Sequence, residues 1–241
     1  MFSILRKELS SFFSNATGYI VIGIFLLLTG LFLWVIPGDY NILETGYANV
    51  DGLFLLAPWL FLFLCPAVSM RLFAEEKQTG TWELLLTKPL HTWQLVLGKY
   101  LAGWTLVVLA LLPTTLFYFS VAYLAEPIGN VDSGAFWGSF LGLLFLAAVY
   151  IAIGTFASSC SKNQVVAFIV ALVLCFFFYY GFDLLSSFFS GGEAIQTLRE
   201  FGIYEHYKSI SRGVIDSRDL AYSILIVMIF LGLCVRQIKK G

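Results

Sequence analysis

Apolar residues run almost unbroken through six stretches of the chain, at about 16–36, 52–70, 93–124, 134–158, 164–189 and 220–235. A helix rises about 1.5 Å per residue, so each is long enough to cross roughly 30 Å of hydrocarbon. The third and fifth exceed what one crossing needs, which predicts tilt, kinking or extension past the bilayer, with Pro113 as the kink site in the third. The leading segment, MFSILRKELSSFF, has a different period. Phe2, Leu5, Leu9 and Phe12 fall on one helical face, and Arg6, Lys7, Ser10 and Ser14 fall on the other. That pattern predicts an amphipathic helix lying in the membrane interface. The apolar run after Asn15 is too long for a signal-peptide core, and no small-residue cleavage site follows it. The fold class expected is an all-α integral membrane protein of six transmembrane helices, with 1–241 as a single domain.

Composition sharpens this reading. Hydrophobic residues make up 59% of the chain and charged residues 12%, with a mean hydropathy of +0.87. A soluble domain carries about 25% charged residues, so a water-soluble fold is excluded. The net charge of -1 gives no ground for a nucleic-acid partner. Cys65, Cys160, Cys175 and Cys234 lie in or beside apolar runs, at spacings that suit neither a metal site nor a disulfide framework.

Charge placement then orients the spans. Arg6, Lys7, Arg71, Lys77, Lys88, Lys99, Lys162, Arg236, Lys239 and Lys240 all fall on the side of the termini. The first loop holds Asp39, Glu44 and Asp51, the third holds Glu126 and Asp132, and neither has a basic residue. The positive-inside rule therefore predicts that both termini are cytoplasmic. The fifth loop is mixed, with Arg199, Lys208, Arg212 and Arg218 offset by acids.

The segment between the second and third spans is the most patterned polar stretch. Gly80 ends the preceding helix, and Thr81 can cap a new one whose first turn carries Glu83. Trp82, Leu85 and Leu86 then share a face, and Pro89 ends the helix. A two-turn helix is marginal alone in water, so it needs a surface: the membrane interface, a partner protein or its own bundle.

The stretch EEKQTGTWELLLTKPLHTWQLVLGKYLAGW resembles the signature of ABC-2 type transporter permeases, E-E-x-x-x-G-T-x-E-x-L-L-x-x-P followed by G-K. Glu75, Glu76, Gly80, Thr81, Glu83, Leu85, Leu86, Pro89, Gly98 and Lys99 are in register. The resemblance implies that this element is the coupling helix, which inserts into a groove on a separate cytoplasmic ATPase subunit. Trp82, Leu85 and Leu86 would supply the apolar contact, and Glu75, Glu76 and Glu83 would orient the turn. It also implies a second permease subunit, identical or paralogous, in the bacterial inner membrane. A second stretch, EHYKSISRGVIDSRDLAY, resembles the branch that holds the gliding-motility (Gld) permeases and those of nitrous-oxide reductase maturation. The same stretch resembles the F subunit of the gliding-motility transporter.

The chain carries little chemistry of its own. It has no G-x-x-x-x-G-K-[ST], so ATP and its magnesium are expected on the partner ATPase, and no cofactor is expected here. His91 and His206 have no ligand-spaced neighbours in sequence. Asp183 is the one acid within the predicted spans, and it reads either as an interfacial carboxylate near the outer boundary or as an outer gate. The apolar residues after it are expected to fold back as a short external helix. Gly134, Gly138 and Gly142 form an i, i+4, i+8 stripe for close helix approach, within the bundle or between subunits. The competing function is a non-transporting scaffold that recruits a cytoplasmic protein through the same helix.

Overall fold

A computed structural model describes residues 2–83, 91–188 and 192–240, and every regular element among them is helical. Helix α1 (Phe2–Ser14) precedes the first span, α2 (Ala16–Trp34). The second span is broken into α3 (Asp51–Ser69) and α4 (Arg71–Gln78). The third is α5 (Thr92–Leu111) and α6 (Thr115–Leu124), joined by a 3-10 turn at Leu112–Thr114. The fourth, α7 (Ser133–Cys160), is uninterrupted. The fifth runs as α8 (Gln164–Phe176), a π-helical turn at Phe177–Gly181, and α9 (Phe182–Ser186). Two short helices, α10 (Gly192–Glu200) and α11 (Ile203–Ile210), lead to the last span, α12 (Ser217–Lys240). Six of these runs are long and apolar enough to cross a membrane.

The interruptions have local causes. Pro113 supplies no N–H to the helix and falls in the 3-10 turn, where the sequence predicts a kink. The break at Met70 follows Pro66, and span four supplies the missing bonds. Ser158 Oγ accepts from Phe73 N at 3.0 Å and Ala74 N at 3.1 Å, and donates to Met70 O at 2.9 Å. One turn away, a Cβ on Gly154 would lie 1.9 Å from Ser69 Oγ. The helices touch there because that position has no side chain.

Helix α7 is the axis of the bundle and packs against α3, α5, α8 and α12. Leu143, Tyr150, Ile151 and Ile153 on it are fully buried. Spans two, three and four are mostly buried, whereas spans one, five and six leave broad apolar faces exposed.

The fifth loop departs from expectation. Leu184 and Leu185 do not turn back; they prolong the fifth span to Ser186. The returning element is α10 and α11 instead. Ile203, Tyr207 and Ile210, at i, i+4 and i+7, bury one face of α11. Tyr207 Oη donates to Phe54 O at 2.8 Å, and Ser139 Oγ donates to Ser211 O at 2.9 Å. The stripe on α7 receives this segment. A Cβ on Gly138 would lie 2.6 Å from Gly213 O, and one on Gly142 would lie 2.3 Å from Ile210 Cγ2. Gly134 faces only Asp132 Oδ1, at 3.3 Å.

Candidate functional site

A charge cluster lies where three elements meet at the end of the bundle that holds the termini. Lys99 sits in the second turn of α5 and is 1% exposed. Its ammonium donates to Glu8 Oε1 on α1 at 2.8 Å and to Leu72 O on α4 at 2.5 Å. Glu76 Oε2 lies 2.9 Å away but has no aligned hydrogen bond, so this part of the pairing is Coulombic. The other oxygen of Glu76 accepts from Lys7 Nζ on α1 at 2.9 Å. The Phe73 ring centroid is 5.2 Å from the Lys99 nitrogen.

The two lysines of the cluster do different work. Lys99 is desolvated, and a buried charge is tolerated only when paired and hydrogen-bonded, which its partners from α1 and α4 achieve. Lys7 is more exposed. Burial alone would lower its pKa, but the hydrogen bond and charge of Glu76 outweigh that and leave it raised above 10.5. A raised pKa means the Lys7 contact is fully present at neutral pH and is lost only as pH climbs past the ordinary lysine range.

The neighbouring acid is committed elsewhere. Glu75 takes a bidentate grip from Arg71, at 2.9 and 3.1 Å, and Arg71 Nη1 reaches Thr17 Oγ1 on α2 at 3.0 Å. The paired glutamates thus tie α4 to three different helices: α2 through Arg71, and α1 and α5 through Glu76.

Beyond α4 the chain turns at Gly80, whose φ of +72° favours glycine. Thr81 Oγ1 lies 3.0 Å from Thr79 Oγ1 and reaches Glu76 O at 3.4 Å. Helix resumes at Trp82 and Glu83. Leu85, Leu86 and Pro89 lie outside the described residues. Trp82 is half-buried, not exposed as an all-partner contact requires. It meets the Phe73 ring edge-on at 5.8 Å, and Lys77 Nζ lies 5.6 Å from its centroid. The ring turns inward because α4 offers an aromatic face and an ammonium on the same chain. Lys77 itself donates to Ser159 O. Glu76, 8% exposed, is likewise not free for a partner, because Lys99 and Lys7 occupy both its oxygens. Glu83 is exposed.

The match between this chain and the model of the ABC-2 family transporter proteins covers residues 42–235. The chain belongs to the ABC-2 transporter family. No curated protein matches it. The family's members are multi-pass membrane components, in keeping with the six apolar helices. Of the residues in the ABC-2-like stretch, Glu75 and Glu76 lie on α4 and Gly80 and Thr81 in the turn after it, and the later Gly98-Lys99 pair sets Lys99 against Glu76.

Asp183 lies at the other end of the bundle. It is half-buried and faces Arg199 Nε at 3.1 Å, and the same nitrogen reaches Ser186 Oγ at 3.2 Å. Sequence reasoning missed Lys99, Glu8 and Ser158 as structural centres. For two of them a signal existed. Lys99 falls among Leu95, Val96, Ala102, Gly103 and Leu106 on the buried face of α5. Glu8 lies midway between Ile4 and Phe12, the two buried residues of α1. That face, rather than one centred on Phe2, turns to the protein, and Phe2 is exposed. A charge on a helix's apolar stripe asks for a partner on another helix.

Proposed function

We propose that this chain is the permease subunit of an ATP-driven ABC-2 transporter, worked by a separate cytoplasmic ATPase through the segment from Gly80 to Pro89. The observation that carries the reading is the Lys99 cluster. It joins the helix just before that segment, the helix just after it and the interfacial helix α1 through ion pairs of 2.8 to 2.9 Å. A push on the segment is thereby shared among three elements. A contact that only anchored a passing protein would not call for such a linkage.

Further parts of the reading rest on the resemblance and on charge placement. ATP and magnesium belong to the ATPase. Both termini are cytoplasmic, and the membrane is the bacterial inner membrane. A second permease subunit, identical or paralogous, completes the transporter. The stretch from Glu205 to Tyr222 favours the gliding-motility branch.

The test is retention of the ATPase. The purified chain should bring down an ATPase whose hydrolysis depends on it. Leu85→Ala should weaken that binding about thirtyfold, since truncating an interface anchor can cost about 2 kcal/mol or more. Trp82→Ala should reduce it too, and should also loosen the turn on α4. Wild-type retention by both variants would leave the segment as a connector packed on its own bundle.

A further inference from the structure

At the end of the bundle opposite the termini, His206 on α11 is held from three sides. Its Nδ1 lies 2.7 Å from Asp219 Oδ1 on α12, and its Nε2 lies 2.9 Å from Glu200 O at the end of α10. Tyr222 stacks on the ring at a centroid distance of 3.9 Å and an angle of 20°, and its hydroxyl donates to Phe201 O at 2.6 Å. Ser209 Oγ donates to the second oxygen of Asp219 at 2.5 Å.

Both ring nitrogens thus face acceptors. A neutral imidazole has one N–H, so alone it can satisfy only one of them. Filling both contacts requires one further proton on the His206–Asp219 pair, whichever of the two holds it. With the proton on the ring, the imidazolium donates twice, pairs with the carboxylate and lies against the face of Tyr222, a surface that favours a cation. Remove the proton, and either Nε2 and Glu200 O or Nδ1 and Asp219 face each other as two acceptors.

The geometry points to a proton-dependent latch: His206 fastens the returning external segment to the start of the last span while the pair holds its extra proton, and releases it as pH rises. The segment it fastens is the one whose Ile210 and Gly213 rest on the glycines of α7 and whose Tyr207 bonds to span two. Among the described residues no other titratable side chain bonds to the ring. From α12 come Asp219 and Tyr222, and from α10 the Glu200 backbone carbonyl. The side of α7 near the ring presents Gly142, Phe145, Leu146 and Val149. Tyr179 and Tyr180 of the π-helical turn pack on Tyr204 rather than on His206. On α11 itself, Glu205 and Lys208 adjoin the latch without bonding to it.

The sign follows from mass action. The closed form binds the extra proton and the open form does not require it, so acid closes and base opens. One proton is involved, so opening rises by at most about tenfold per pH unit. The chain has two histidines, and His91→Gln leaves His206 as the only one. Nitrogen NMR of His91→Gln in lipid nanodiscs, scanned from acid to base, should show the His206–Asp219 pair lose one proton as pH rises, seen as the loss of one of two ring hydrogens where the ring holds it. In parallel, amide exchange of 203–210 should be compared between wild type and His206→Ala at each pH, which cancels the intrinsic pH effect on exchange. Protection in the wild type should exceed that of the variant at acid pH and converge on it as pH rises. A singly protonated ring at every pH, together with protection of 203–210 that does not change with pH, would overturn the latch. So would equal protection in the two proteins at every pH. The NMR arm stands even if His206→Ala does not fold.

Discussion

Lys99 shows how much a single side chain can organise. A buried ammonium with one partner removed is costly, about 3–5 kcal/mol, because the remaining charge stays out of water. Lys99→Met should therefore leave Glu8 and Glu76 as two carboxylates without the cation between them, and destabilise the protein by about that amount. Titration of the bicelle-reconstituted protein with SDS would measure it. Unchanged stability would mean that the ammonium does not hold α1 and α4 together. Replacing Glu8, Glu76 and Lys99 together by apolar residues should recover most of the loss, since a buried ionic cluster often contributes little beyond an apolar equivalent. Any motion passed from α4 to α1 should nevertheless be weakened, because apolar side chains slide where an ion pair resists.

At the scale of elements, the fold was legible where the signal was periodic. Continuous apolar runs give the six spans because hydrocarbon demands length and little else. Pro113 marks an interruption because a missing N–H acts locally. The break at Met70 was not legible, since its bonds come from Ser158, 85 positions from Phe73 in the chain. The return of the fifth loop through α10 and α11 was missed for a related reason. The apolar residues after Asp183 look suited to turning back, but Asp183 and Ser186 are both held by Arg199, and the helix continues through Leu184 and Leu185 to Ser186. The glycine stripe is periodic and easily seen, yet its partner is a loop segment, which no pattern on α7 reveals. That partner makes a graded prediction. Gly138→Leu drives a side chain into the Gly213 backbone, which has nowhere to go, and should cost about 1–3 kcal/mol of stability. Gly134→Leu meets only the Asp132 side chain and should cost far less. Thermal unfolding of the two variants in detergent would compare them, and equal melting temperatures would place the α11 contact outside the stable fold.

For the whole molecule the decisive quantity is the direction of the spans. Ten basic residues on one side against acid-only short loops on the other predict that Glu83 and Glu44 face opposite compartments. Both are exposed, so each can carry a reporter. Cys160 is the exposed native cysteine and the other three are buried, so a Cys160→Ser background isolates the signal. Glu44→Cys should react with an impermeant maleimide from the outside of intact cells, and Glu83→Cys only after the membrane is opened. Reaction of both from the same side would reverse the assignment and remove Glu83 from the compartment where ATP is found. The uneven burial of the spans belongs to this scale as well. Three inner helices hold the core while three outer ones present apolar faces that lipid or another membrane subunit can cover.

The bonds that Ser158 makes across the break at Met70 give α4 the character of a short lever. Eight residues of helix span about 12 Å. A rotation of only ~10° about that fulcrum would carry the far end through ~2 Å. A hydroxyl can follow such a swing, because it accepts and donates over a range of angles where a regular helical bond would have to break. Glu76 rides near the tip of the lever and Leu72 near its base, and both hold Lys99. A small swing at Gly80 would therefore change the grip on one ammonium unequally at two points, turning displacement into a twist of the third span.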